Sequence, residues 1–135
     1  GLSLHVQYGD CRLLFDCGSG ANPLRNAHRL GVDLKDLDAV ILSHSHYDHA
    51  RGYRAFAEGG CLAPLYTGGN FFEEKYARAG ESLRDLSSGF DLGYLGEKGI
   101  AHRTVSDITE LLMGNDVPPR KTFIYEHAKD AELDI

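Results

Sequence analysis

No run of this sequence approaches the roughly 18 consecutive apolar residues that a membrane-spanning helix needs. No internal repeat and no low-complexity segment occurs. Cysteine is scarce: Cys11, Cys17 and Cys61 form an odd set without a C-x-x-C pair. That argues against a disulfide framework and for reduced thiols in a cytoplasmic protein. Cys17 reads as a small buried residue at a strand end rather than a ligand. Basic runs are missing as well, and the net charge is -6. A nucleic-acid partner is therefore not expected from charge, although a metal nuclease stays open because bound ions neutralise phosphates locally. Gly18-Ser19-Gly20 is followed by neither G-x-G-x-x-G nor a P-loop lysine, so these glycines read as room for a close chain approach, not as a phosphate cradle.

What is present is ordinary globular composition, 42% hydrophobic and 25% charged over 135 residues, which implies one domain, 1–135, with a real core. No signal-peptide pattern is visible. The chain opens at Gly1, inside what already reads as a strand, so a missing upstream segment is the expectation.

The most informative stretch is Ser43-His44-Ser45-His46-Tyr47-Asp48-His49, with three imidazoles and one carboxylate in six residues. Directly before it, Leu37 to Leu42 is an apolar run of buried-strand length. The cluster thus lies where a core strand runs out into a loop, a usual address of a site in α/β proteins. In extended chain His44, His46 and Asp48 share parity, and His49 breaks it. With a bend near Tyr47, His44 and His46 can hold one ion while Asp48 and His49 reach a second. Neutral imidazole and carboxylate suit zinc, with manganese or iron as alternatives. A catalytic ion keeps one position for water and lowers its pKa to ~7. Asp48 is the candidate catalytic carboxylate as well as a ligand.

Around the cluster, Leu2, Leu4, Val6 and Tyr8 alternate with polar residues as a half-buried strand, with His5 on its polar face. Gly9-Asp10 closes a hairpin, and Cys11 to Asp16 returns. Asn22 is expected to cap a helix with Pro23 at its first position. Leu24, Ala27 and Leu30 or His28 would form its inner stripe, and Gly31 its end. Gly52 to Ala57 reads as a short helix with Tyr53 and Phe56 inward, and Pro64 to Thr67 as a strand. Phe72, Lys75 and Tyr76 have helical spacing within Phe71 to Ala79. From Glu81 to Gly99 no period holds. Ile100 to Val105 and Ile108 to Met113 read as short strands, with His102 structural rather than ligating. Gly114 to Lys121 reads as an exposed loop, Phe123 to Tyr125 as an apolar run and the acidic end as frayed.

Ser43 to Gly52 resembles the His-x-His-x-Asp-His signature of the metallo-β-lactamase-fold hydrolases, and Leu13-Leu14-Phe15-Asp16-Cys17-Gly18 the strand-ending Asp-x-Gly that precedes it there. The resemblance covers about Leu2 to Thr67. It implies an α/β fold, the αβ/βα sandwich, with metal at one sheet edge. It carries first-site ligands to His44 and His46, second-site ligands to Asp48 and His49, and to Asp16 the role of buttressing the site behind those ligands. It also implies two zinc ions, a small-molecule substrate and attack of water on an ester, thioester, amide, lactone or phosphodiester. The opening residues and Tyr47 look most like the branch tied to pterin-phosphate synthesis. The family's later ligands (a third His, a bridging Asp and a last His) have no matching context here. The only later histidines are His102 and His127. The chain therefore looks like the N-terminal half of such a domain, incomplete at both ends, and self-association or a missing C-terminal half is expected. The alternative to a hydrolase is a non-catalytic fragment or degenerate domain with a partial metal site, serving as an assembly piece.

Overall fold

The computed structural model describes residues 1–105. The expected strand at 108–113, the loop at 114–121, the run at 123–125, the acidic end and His127 lie outside the described residues.

β1 (Leu4–Tyr8) and β2 (Cys11–Phe15) form an antiparallel hairpin. β3 (Ala39–Ile41), β4 (Leu65–Gly68) and a last strand, His102–Val105, then add in parallel, giving one five-stranded mixed sheet. β3 is central, and its side chains alternate between two buried clusters. Val40 and Leu42 face one with Leu14 and Leu65; Ala39 and Ile41 face the other with Leu13, Phe15 and Tyr66. A strand covered on both faces must be apolar throughout, which is why Ala39 to Leu42 shows no alternation, while Asp38, just before the strand, is exposed.

The helices lie on the Val40 face. α1 (Asn22–Arg29) brings Ala27, α2 (Tyr47–Ala50) brings Ala50, and α3 (Tyr53–Glu58) brings Tyr53, Phe56 and Ala57. Tyr53 and Phe56 are completely buried. Losing a ring of that size from a core costs about 3–5 kcal/mol.

A dense set of backbone bonds ties α2 to the end of β2. Cys17 N donates to His49 O at 2.7 Å and Gly52 N to Gly18 O at 2.8 Å. At Gly52 an added Cβ would sit 2.0 Å from the Cys17 carbonyl oxygen. Only glycine fits this crossing, because backbone cannot step aside as a flexible side chain can. Gly52→Ala should therefore lower stability by about 2–3 kcal/mol, read as a drop in the denaturation midpoint. A midpoint within error of the unsubstituted chain would contradict the tight crossing.

Several expectations need correction. Phe71 to Ala79 is not a helix. Residues 69–73 form turns, Tyr76–Ala79 is β5, and it pairs antiparallel with β6 (Ser82–Asp85). Phe71 is buried and Phe72 packs against the same core, but Tyr76 is exposed, so the apparent stripe is not one face. Gly80, at φ 65°, makes the hairpin turn. Within the stretch read as aperiodic lies α4 (Leu92–Lys98). Asp91 caps it by accepting from Tyr94 N at 2.8 Å, and left-handed Gly99 ends it. Two glycines inside a single two-turn helix hid its period. The final strand of the sheet, His102–Val105, is β7.

At α1 the N-cap is Ala21 rather than Asn22, whose side chain instead accepts from Arg25. Leu30 is 79% exposed, so Leu24 and Ala27 alone make the inner stripe, and His28 is exposed too. On β1, an outer strand of the sheet, Leu4 and Tyr8 are largely exposed and Val6 alone of the strand's apolar residues packs inward.

Candidate metal centre

Two strand ends build the centre. β2 stops at Phe15, and Asp16 follows with φ 54°, its amide donating to Ile41 O at 2.9 Å. Aspartate tolerates this left-handed conformation better than most residues. The turn drives its carboxylate into the protein, where it is fully buried. β3 stops at Ile41, the chain bends at Ser43, and α2 begins at Tyr47 directly after His46, itself extended at ψ 142°. The turn into α2 at Tyr47 thus falls where the sequence placed a bend. It carries Asp48 and His49 onto one helical turn beside His44 and His46.

Hydrogen bonds fix what each imidazole offers. Asp16 Oδ1 accepts from Ser43 N at 2.8 Å. Asp16 Oδ2 accepts from Ser43 Oγ at 2.7 Å and faces His49 Nδ1 at 2.7 Å. A carboxylate is acceptor-only, so His49 must carry its proton on Nδ1 and the Ser43 hydroxyl must spend its single proton on Asp16. Ser43 Oγ also lies 2.9 Å from His44 Nδ1. With its proton committed, it can only accept there, so His44 is protonated on Nδ1 as well. Both histidines therefore turn an unprotonated Nε2 away from Asp16. His44 Nε2 is buried with no partner, a costly state for a polar atom that has nothing to bind.

Charge agrees with this. Burial, then the neighbouring His49 and His46, push the His44 pKa down to about 4, so it is neutral at neutral pH, the form that ligates. Burial pushes the Asp16 carboxyl up, while the bonds from Ser43 and His49 oppose that.

Asp16, His44 and His49 each offer an atom within 4.8 Å of one another. Asp16, however, has both oxygens engaged, which suits an orienting role better than a ligand's. His46 lies edge-on to His44 with ring centroids 4.7 Å apart. Asp48 Oδ2 is 3.5 Å from His49 Nε2; two acceptors so placed repel unless a cation, proton or metal lies between them. The donor set, with the orphaned His44 nitrogen, fits a divalent ion.

Sequence reading missed Ser43, whose hydroxyl links His44 to the carboxylate that His49 meets directly. Its signal was only its position directly before the cluster. Ser43→Ala should weaken metal binding by about tenfold, while Ser43→Thr retains it; a zinc competition titration checks both. Equal affinity in Ser43→Ala would remove the relay from the account. His102 is not part of the centre. Its Nε2 is 2.8 Å from Thr67 Oγ1 and its ring edge packs on Phe72, as a structural histidine would. His5 is exposed.

The sequence profile of the metallo-beta-lactamase superfamily matches residues 1–122. The chain belongs to that superfamily. Ribonuclease Z of Methanopyrus kandleri is 45% identical over 49 residues, 36% of this chain and 17% of that protein. The anti-Pycsar protein Apyc1 of a Paenibacillus species, strain J14, is 30% identical over 127 residues, covering 85% of this chain and 51% of the relative. Rm3 metallo-beta-lactamase shares the fold, with TM-score 0.57 and 18% identity over 84% of this chain and 42% of its own. The chain thus spans about half, or less, of each of these superfamily relatives. Its mixed α/β sheet is the superfamily fold. Among the described residues no helix is long and apolar enough to cross a membrane.

Proposed function

We propose that the chain carries the metal-binding loop of a divalent-metal-dependent hydrolase. The observation that carries this is the pair of unprotonated Nε2 atoms set by the Ser43–Asp16 relay, one of them buried without a partner. His44 and His46 would hold one zinc ion, and Asp48 and His49 a second; manganese or iron would suit the same donors. Asp16 fixes the tautomers and ring orientations. A bound ion supplies an acidified water and polarises the bond to be cleaved. Asp48, 40% exposed at its side chain, is the carboxylate placed to take a proton from the attacking water. Nothing in the loop restricts the substrate to one among ester, thioester, amide, lactone or phosphodiester. The likeness to a ribonuclease favours the phosphodiester and makes nucleic acid a less remote partner than net charge suggests. The narrower likeness to pterin-phosphate synthesis starts from Tyr47 and the opening residues, and a 7,8-dihydropterin-6-methyl-4-(beta-D-ribofuranosyl)-aminobenzene-5'-phosphate synthase that is 35% identical over 74 residues, 25% of its own length, supports it to that extent. Buried Cys17 and Cys61 fit a reducing, cytoplasmic setting.

A second reading is favoured by one fact: the described ligand candidates come from a single loop, and a catalytic zinc normally has three protein ligands besides water. On that reading the chain binds metal partially and acts as an assembly piece. Hydrolysis of bis(p-nitrophenyl) phosphate by zinc- or manganese-loaded protein separates the two. Turnover that His46→Ala removes supports the hydrolase. Bound metal without turnover supports the assembly piece.

A further inference from the structure

The turn between β4 and β5 leaves a cavity of about 240 Å³ beside the centre, lined by His44, Ser45, Gly68, Asn70, Phe71 and Lys75. Lys75 is half-buried, and its ammonium is held by backbone carbonyls, Asn70 O at 2.7 Å, Glu73 O at 3.2 Å and Phe71 O at 3.4 Å. Carbonyl dipoles orient an ammonium without neutralising it. Among the described residues Lys75 forms no ion pair. Lys75 and His44 line the same cavity, so the ammonium would disfavour a metal ion held at His44. An unpaired cation fixed beside a cation site is unfavourable by itself. It becomes favourable once an anion lies between them. Ser45 Oγ is a second unsatisfied group here, buried and without a partner. Donors on two separate loops suit a tetrahedral anion better than a planar one.

We propose that this cavity is an anion subsite for a phosphoryl group, with Lys75 as its counter-charge and Ser45 and Asn70 as hydrogen-bond donors. That the phosphoryl group belongs to a substrate rests on the hydrolase reading; that the cavity binds it does not. Lys75 is then a specificity residue, selecting phosphate esters over neutral esters.

The experiment is calorimetric titration of inorganic phosphate and of dimethyl phosphate into the full chain, both metal-loaded and metal-stripped. The variants are Lys75→Ala, Lys75→Gln and Ser45→Ala, with folding checked by circular dichroism. Glutamine keeps donors for the turn carbonyls and loses only the charge, so a purely structural lysine would leave Lys75→Gln unchanged. The expected result is a Kd raised about tenfold or more in both Lys75 variants and in both metal states, a change in scale with loss of one charge-assisted contact, with metal content unaltered. Phosphate affinity in Lys75→Gln equal to that of the unsubstituted chain would overturn the proposal, as would no phosphate binding to the stripped chain. Lys75-dependent phosphate binding in a chain that takes up no metal would leave the subsite standing and remove the hydrolase reading alone.

Discussion

Asp16→Ala should be the most damaging single substitution at the centre. It removes the acceptor for three donors at once: Ser43 N, Ser43 Oγ and His49 Nδ1. Each buried donor left unsatisfied costs about 1–3 kcal/mol. Alanine is also less suited than aspartate to φ 54°. A loss of about 3–5 kcal/mol is expected from three donors losing their acceptor together, measured by chemical denaturation of metal-free protein. Asp16→Asn is the sharper probe, because asparagine tolerates the left-handed backbone. Its Oδ1 can still accept from Ser43 N, but its amide then donates toward His49 Nδ1. His49 must move its proton to Nε2 and loses the lone pair that faces Asp48. Metal affinity should fall about 10–100-fold with most stability retained. An aspartate that only shaped the turn would show the reverse, lost stability with metal affinity intact.

His44→Ala should have the largest effect on metal. It deletes a ligand candidate whose Nε2 has no other partner, so the metal-free fold should lose little. Bound metal should drop sharply, and any hydrolysis with it. The pH dependence follows from the lowered pKa. Between the ordinary histidine value and about 4, the unfolded chain protonates this residue while the folded chain does not. Folding stability from His44 is thus full at neutral pH and declines as pH falls from the ordinary histidine value toward about 4. Protons at His44 should likewise compete with metal only near the lower end of that window. His44→Ala should flatten both dependences, as followed by denaturation and metal retention across pH 4 to 7.

The sequence exposed the parts of this protein governed by short-range chemistry. Ala39 to Leu42 is apolar because both sheet faces cover β3, and that made the strand and the address of the cluster legible. Ser43 to His49 carried the ligand types, and the bend at Tyr47 was implied by their broken parity. The hairpin of β5 and β6 was not legible, because its residues are mostly exposed and impose no apolar alternation. It is tied down by contacts no period reports: Arg84 and Arg51 both lie over the Tyr47 ring, at 5.0 and 5.5 Å from its centroid. α4 was hidden by its own glycines. The Ser43 relay was hidden for another reason, since it joins residues 27 and 33 positions apart, and no local pattern records such a partnership.

The central claim is that His44 and His49 present unprotonated Nε2 atoms to a divalent ion. X-ray absorption at the metal edge, with metal content by elemental analysis, tests it most directly on zinc-reconstituted protein. The account predicts a nitrogen- and oxygen-only shell with an imidazole signature and no sulfur. It predicts that metal is lost in His44→Ala and His49→Ala and kept in His5→Ala and His28→Ala. A sulfur-containing shell, or metal content unchanged in both His44→Ala and His49→Ala, would contradict it.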